Sequence, residues 1–279
     1  MENKSEKYWN NFWQNQKNLI YNHHINSWYD FVLRSNHETI LDNIKKKFLN
    51  SSSLNVIEVG CGSAKFTQFM INKKKYNYTI SDRNISVLHQ SKKLIKDILK
   101  KEVAIKELNL SVPNFIKQEY DIVYSGGVLE FFKNINNPIS NMYNLTKENG
   151  VCIAVVIPKK FSLQTIANLQ KSIAYFFRNL ITKRKFLNNF FYSHLDKNTY
   201  INSYSHKYYK KAFIKQGFKD VEVYSLVPFP SFALGKKMDK KYAKFLHTYL
   251  YDFVKKFNNS NNFLSMLIGS SYLIYAKKN

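Results

Sequence analysis

The chain has 279 residues, 44% hydrophobic and 16% aromatic, enough to bury a sizeable core within a single domain that carries insertions. A formal charge of +24 ordinarily points to a polyanion, but of the basic residues only Arg34, Arg83, Arg178 and Arg184 are arginine, the fork on which readers of nucleic acid lean. Nucleic acid is therefore a secondary expectation; Cys61 and Cys152 show neither metal-ligand spacing nor a secreted pairing pattern, Met1 to Lys7 lacks the apolar run of a signal peptide, and Phe263 to Ala276 is too short to span a bilayer, so the reading is a cytoplasmic protein without a metal site.

Along the chain, Tyr8, Trp9, Phe12 and Trp13, then Trp28, Phe31, Val32, Ile40, Leu41 and Ile44, recur at helical spacing and predict an N-terminal helical cap over residues 1–50. Leu54 to Val59 is a short apolar run ending at Gly60, the pattern of a buried parallel strand and a tight turn. Tyr78 to Ser81 is a second strand ending at Asp82, followed by a helix with Ile85, Leu88, Leu94 and Ile95 on its apolar positions. Val103 to Leu108 is a third, and Asp121 to Tyr124 a fourth that runs into Ser125-Gly126-Gly127. A helix from about Pro138 to Lys147, stopped by Gly150, precedes the strand Val151 to Ile157. Such β-α-β alternation predicts a parallel sheet covered on both faces, here over residues 51–158.

Beyond Pro158 the rhythm changes. Leu163, Ile166, Ala167, Ile173, Ala174, Phe177, Leu180 and Ile181 form one helical stripe followed by Lys183, Arg184 and Lys185, which predicts a helical lid inserted over 159–204. The core resumes over 205–279: Ser205 as a helix N-cap, a helix through Ile214 stopped at Gly217, the strand Val221 to Val227, an amphipathic helix carrying Tyr242 to Val254, and a closing strand Ser271 to Ala276.

Four of the eight glycines, Gly60, Gly62, Gly126 and Gly127, fall at the expected C-terminal ends of two strands, the edge where open parallel sheets bind ligands. In Glu58-Val-Gly-Cys-Gly-Ser-Ala64 the glycines allow a sharp turn and close approach of a ligand, and the next helix, starting near Lys65, aims free N–H groups at an anionic group. Asp82 ends the following strand, placed to take two ribose hydroxyls. A nicotinamide cofactor satisfies this spacing as well.

The segment Val56-Ile-Glu-Val-Gly-Cys-Gly-Ser-Ala-Lys-Phe-Thr67 resembles the first motif of class I methyltransferases dependent on S-adenosylmethionine, and Tyr120-Asp-Ile-Val-Tyr-Ser-Gly-Gly-Val-Leu-Glu-Phe-Phe132 resembles their fourth motif. The late helix ending in Gly217-Phe218 is similar too. The resemblance implies an α/β fold, a Rossmann-like seven-stranded, mostly parallel sheet with helices on both faces, and S-adenosylmethionine as cofactor. It places Glu58, Gly60, Gly62 and Ser63 around the methionine part, Asp82 on the ribose, Asn109 and Leu110 beside the adenine and Ser125 near the amino group, with Cys61 and Arg83 inside the same two cofactor segments. Ala64 stands where the family has a third glycine, expected only to tighten helix packing; Asn109 replaces a common aspartate, and Phe131 a common histidine.

Methyl transfer from a sulfonium relies on alignment and exclusion of water, so a dedicated base is optional. For a hydroxyl acceptor the candidate bases are His23, His24, His194 and His206, with Glu130 as a further candidate whose favoured reading is a helix-face carboxylate. The expected acceptor is a small molecule of lipid, glycan or secondary-metabolite type, the cap and lid covering its pocket. An RNA or protein acceptor is the alternative, and a nicotinamide oxidoreductase a further one. A basic amphipathic helix resting on an anionic membrane is also expected from the stripe and its flanking cations.

Overall fold

The computed structural model describes residues 8–9, 12–13, 19–48, 53–113, 119–179 and 200–279, and within 172–179 the side chain of residue 173 alone. Helix α1 (Trp28–Lys47) starts where Ser27 accepts a hydrogen bond from the Asp30 amide; Asp30 in its first turn and Lys45, Lys46 and Lys47 in its last complement the helix dipole. Then follow β1 (Asn55–Val59), α2 (Lys65–Ile71), β2 (Asn77–Asp82), α3 (Ile85–Leu94), β3 (Ala104–Glu107), β4 (Tyr120–Gly126), α4 (Asn136–Leu145) and β5 (Thr146–Val156). The second half adds α5 (Leu163–Asn179), α6 (His206–Lys215), β6 (Lys219–Leu226), α7 (Lys236–Tyr249), α8 (Tyr251–Asn258), α9 (Phe263–Ile268) and β7 (Ser271–Lys277).

The seven strands form one sheet in the order β3-β2-β1-β4-β5-β7-β6. Pairing is parallel from β3 to β5, while β7 runs antiparallel to both β5 and β6. Strand order reverses between β1 and β4, whose pairing brings Val56 opposite Ile122 and Glu58 opposite Tyr124. That reversal opens a crevice at their C-terminal ends, beside Gly60 and Gly126. Alternation along β1 sorts its side chains: Ile57 and Val59 join α4 and α6 on one face, and Val56 joins α1, α2 and α3 on the other. A smaller core of Phe31, Ala243, Leu246 and Val254 ties α1 to α7 and α8.

Two boundaries differ from expectation. The stretch at Gly150 is strand rather than helix stop: α4 ends at Leu145, and the left-handed turn falls to Asn149, at φ 62°. The helix expected over Tyr242 to Val254 is broken at Leu250 into α7 and α8. Ser205 does cap α6 by accepting from the Tyr208 amide, and Gly217 closes it at φ 104°.

Candidate active site

The first strand's turn is built by its own residues. Gly60 and Gly62 take φ of +64° and +49°, and a Cβ on Gly60 would lie 2.6 Å from Val128 Cγ2. One on Gly62 would lie 2.1 Å from Trp13 Cζ2, so that ring rests directly on the turn. Ala64 also takes a left-handed φ, of 53°. This corrects the expectation for that position: the family's third glycine relieves the backbone, and alanine here bears a conformational cost.

Glu58 is buried, and its carboxylate accepts from the Thr67 amide at 2.8 Å and the Thr67 hydroxyl at 2.7 Å. Burial pushes its pKa up to about 7, against the pull of those bonds. Its first task is thus to hold α2 onto the turn.

Asp82 accepts from the Gly62 amide through Oδ2 and from the Asn84 amide through Oδ1, each at 3.1 Å. Burial raises its pKa, and those amide bonds oppose the rise. A carboxylate has about four acceptor sites, so these two bonds leave room for further donors.

Asp82, Arg83, Asn84, Leu108, Asn109 and Leu110 line a slot closed by Gly127, Val128 and Phe131. Arg83 has a buried guanidinium nitrogen with no partner. Asn109 is folded into a local turn, its Oδ1 accepting from the Ser111 amide and hydroxyl. Phe131 packs edge-on against Trp9, centroids 4.8 Å apart, an apolar contact in place of the histidine of the family pattern.

At Gly60 and Gly127 the slot meets an open cleft of about 730 Å³, and Trp9 and Trp13 line both. One wall is the face of α1 carrying Trp28, Tyr29, Val32, Leu33, Asn36 and His37, spaced as one helical stripe. Opposite stand Gln164, Thr165, Asn168 and Lys171 of α5, held to the 231–234 segment by a pair of bonds between Gln164 and Ser231. Cys61 and Ser63 reach the floor, and Tyr124 lies beneath, stacked on Phe66 at 3.8 Å.

The described members of the apolar stripe on α5 do not line the cleft. The polar side of the helix faces the cleft, whereas Ile166, Leu169 and Ile173 are exposed; the expected positions 174–181 lie outside the described side chains.

Among the nominated bases, His23, His24 and His206 line neither slot nor cleft. His23 lies within 3.4 Å of the Asn72 amide, and His206 packs edge-on against Tyr272. His194 lies outside the described residues. Glu130 lies in a single helical turn, Leu129–Phe131, and is buried; one oxygen accepts from the Ile157 amide, the other has no partner, and burial pushes its pKa up to about 8. Ser125 is buried with an unpartnered hydroxyl and lines neither cavity.

The histidine that does line the cleft is His37, absent from the sequence candidates. It is 2% exposed, its Nδ1 has no partner, and burial brings its pKa down to about 3, so it is neutral. Its neighbour Asn36 has an unpartnered Oδ1. A signal existed: Asn36 and His37 follow Val32 and Leu33 by four residues, which puts polar groups on an apolar helical face.

Among solved structures, the chain resembles an S-adenosylmethionine-dependent methyltransferase from Clostridium acetobutylicum at 10% identity and TM-score 0.55, covering 88% of this chain and 92% of that one. It resembles CurJ carbon methyltransferase at 12% identity and TM-score 0.52, over 87% of this chain and 53% of that one. Phosphoethanolamine N-methyltransferase 2 of Haemonchus contortus, solved with phosphomonomethylethanolamine and S-adenosylhomocysteine, is similar at 14% identity and TM-score 0.53, over 86% and 52%. The chain spans about half the length of these last two. No curated protein matches it by sequence.

The sheet order and the likeness to these structures define a Rossmann-like methyltransferase fold. A family model described as a methyltransferase domain matches residues 32–223, and the chain belongs to that family of S-adenosylmethionine-dependent enzymes. This decides between the two cofactors that the glycine turn and Asp82 left open. Among the described residues no helix is long and apolar enough to cross a membrane.

Proposed function

We propose that the chain methylates a small molecule bound in the cleft between α1 and α5, with the cofactor's nucleoside in the slot beside Asp82. The observation that carries this reading is the junction of the two cavities at Gly60 and Gly127, beneath Trp9 and Trp13. S-adenosylmethionine supplies a methyl carbon already activated by its sulfonium, so the residues here have to bind, align and exclude water.

In this reading the free directions of the Asp82 carboxylate accept both ribose hydroxyls. Arg83, Asn109 and Leu110 flank the base, and the turn from Gly60 to Ser63 admits the amino-acid tail against its backbone. The fit rests on the turn: Gly60 and Gly62 take left-handed φ, and a side chain at either would collide with Val128 or Trp13, which close over it. His37 is a positioning residue. Held neutral, it accepts a hydrogen bond from an acceptor's O–H or N–H and keeps the lone pair aimed toward the junction.

The test is transfer of labelled methyl from S-adenosylmethionine to a panel of small alcohols, amines and acids, with total RNA and a protein lysate in parallel. Label on small molecules is the expected result; label on RNA or protein alone overturns it.

A second reading concerns where the enzyme works. On α7, Met238, Phe245 and Tyr249 are exposed along one line, flanked by exposed Lys237, Lys241 and Lys244. This stripe suits peripheral contact with an anionic bilayer, its cations meeting headgroups and its apolar side chains the interface. Cosedimentation with vesicles containing phosphatidylserine supports the contact, and failure to pellet removes it.

A further inference from the structure

Three lysines of the cleft differ from most of the chain's others in their burial. Lys65, Lys159, Lys160 and Lys171 line the cleft, and Glu58 is the one acidic residue among the described residues that do. A lysine-rich chain spreads its charges over solvent, where hydration costs nothing. Lys65, Lys160 and Lys171 are instead half-buried, and none lies within ion-pair distance of a carboxylate among the described residues.

Their contacts are weak substitutes for an anion. The Lys65 ammonium stands 4.9 Å above the Tyr29 ring and that of Lys160 4.3 Å above the Tyr272 ring. Lys160 also donates to the Met266 carbonyl, and Lys171 to the Ser231 hydroxyl at 3.0 Å. Burial lowers all three pKa values, that of Lys160 to about 8, and Asp30 opposes the fall at Lys65 and Asp239 at Lys171 without cancelling it. Burying a cation is costly, and an anion entering the cleft would relieve that cost, most of all at Lys160. The only lining carboxyl that would repel it, Glu58, is turned to Thr67.

The α1 wall has the opposite need. Asn36 Oδ1 is an acceptor without a donor and His37 Nδ1 has no partner, and a buried polar atom left unpaired is destabilising. The two walls together describe a molecule with an oxyanion and an O–H or N–H.

We propose that the methyl acceptor is a small oxyanion, its carboxylate or phosphate group held by Lys65, Lys160 and Lys171 and its hydroxyl or amine hydrogen taken up by Asn36 and His37. This rests on the cleft being the acceptor pocket, and it names the class of acceptor.

The probes are inorganic phosphate and sodium acetate at constant ionic strength, titrated into the full chain with sodium chloride as control. All three tryptophans line the cleft, so intrinsic fluorescence reports its occupancy. Saturable quenching by phosphate or by acetate, absent with chloride, is expected, and the stronger of the two identifies the group. Lys160→Gln and Lys171→Gln, made separately so that a folding failure in one leaves the other, should each weaken that binding about tenfold. Lys93→Gln, on the exposed face of α3, should leave it unchanged.

No saturable response to either anion, or equal loss in the Lys93 variant, overturns the proposal. Calorimetry with S-adenosylmethionine on the same variants separates the two levels. If the cofactor binds and neutral alcohols or amines are methylated while anionic ones are refused, the cleft remains the acceptor pocket and the oxyanion assignment falls. If the cofactor does not bind wild-type protein, the functional reading falls first.

Discussion

The slot and the cleft differ in what makes them. The slot is a backbone site: two glycines in left-handed conformation, two amides donating to Asp82, and a segment from Leu108 to Leu110, all from neighbouring parallel strands. The cleft is a side-chain site, assembled from α1, the tips of β1, β4 and β5, α5 and the 231–234 segment. A backbone site tolerates change around it and fixes one ligand; a side-chain site is free to differ in every relative.

The largest expected effect probes the cleft. The His37 pKa is depressed, so the unfolded chain binds a proton below about pH 6.5 that the folded protein refuses until about pH 3. Acid therefore costs stability across that window. Glu58 and Glu130 act with the opposite sign, their raised values favouring the fold at low pH and losing that contribution as pH rises through about 7 and about 8. The difference between wild type and His37→Gln cancels them. By urea unfolding, it should move by about 3 kcal/mol in the variant's favour between pH 7 and pH 4. A difference independent of pH would mean that His37 is solvated and not a wall of the cleft.

Next in size is the slot. Asp82→Ala removes acceptors for two hydroxyl donors and unties the Gly62 amide, and charged hydrogen bonds contribute about 1.5–3 kcal/mol each. The affinity for S-adenosylmethionine should fall about a hundredfold by calorimetry, while phosphate or acetate quenching of the tryptophans stays the same. Unchanged cofactor affinity removes Asp82 from the ribose; simultaneous loss of anion binding breaks the separation of the two regions.

That separation also explains what could be read from the chain. The succession of strands along the chain, the turn at Gly60 and the carboxylate at Asp82 are local patterns: an apolar run, two glycines, the next strand's last residue. They come together because parallel strands place all their C-terminal ends on one edge. The acceptor side has no such rule. Amphipathicity shows that α5 has two faces, but it was the polar one, with Gln164, Asn168 and Lys171, that met the cleft. Of the nominated histidines, His23, His24 and His206 line neither cavity, while His37 lay unnoticed among the apolar positions of the cap helix. At Gly150 the glycine looked like a helix stop because the true left-handed residue is Asn149.

The smallest effect is sharpest as a contrast between two buried alanines. Replacing Ala243 of α7 with glycine loses a fully buried methyl, worth about 0.8 kcal/mol, and helix propensity worth about 1 kcal/mol. Ala64 is as fully buried, so the methyl loss is the same, and glycine again adds unfolded-state entropy. Its φ of 53° changes the sum, because a left-handed alanine gives back roughly 1–2 kcal/mol on becoming glycine. Ala243→Gly should therefore lower the urea midpoint by an amount equivalent to about 2 kcal/mol, and Ala64→Gly should change stability by less than about 0.5 kcal/mol. Equal losses at both positions would mean that Ala64 is not held left-handed, and that the turn from Gly60 to Ala64 is shaped by something other than its backbone.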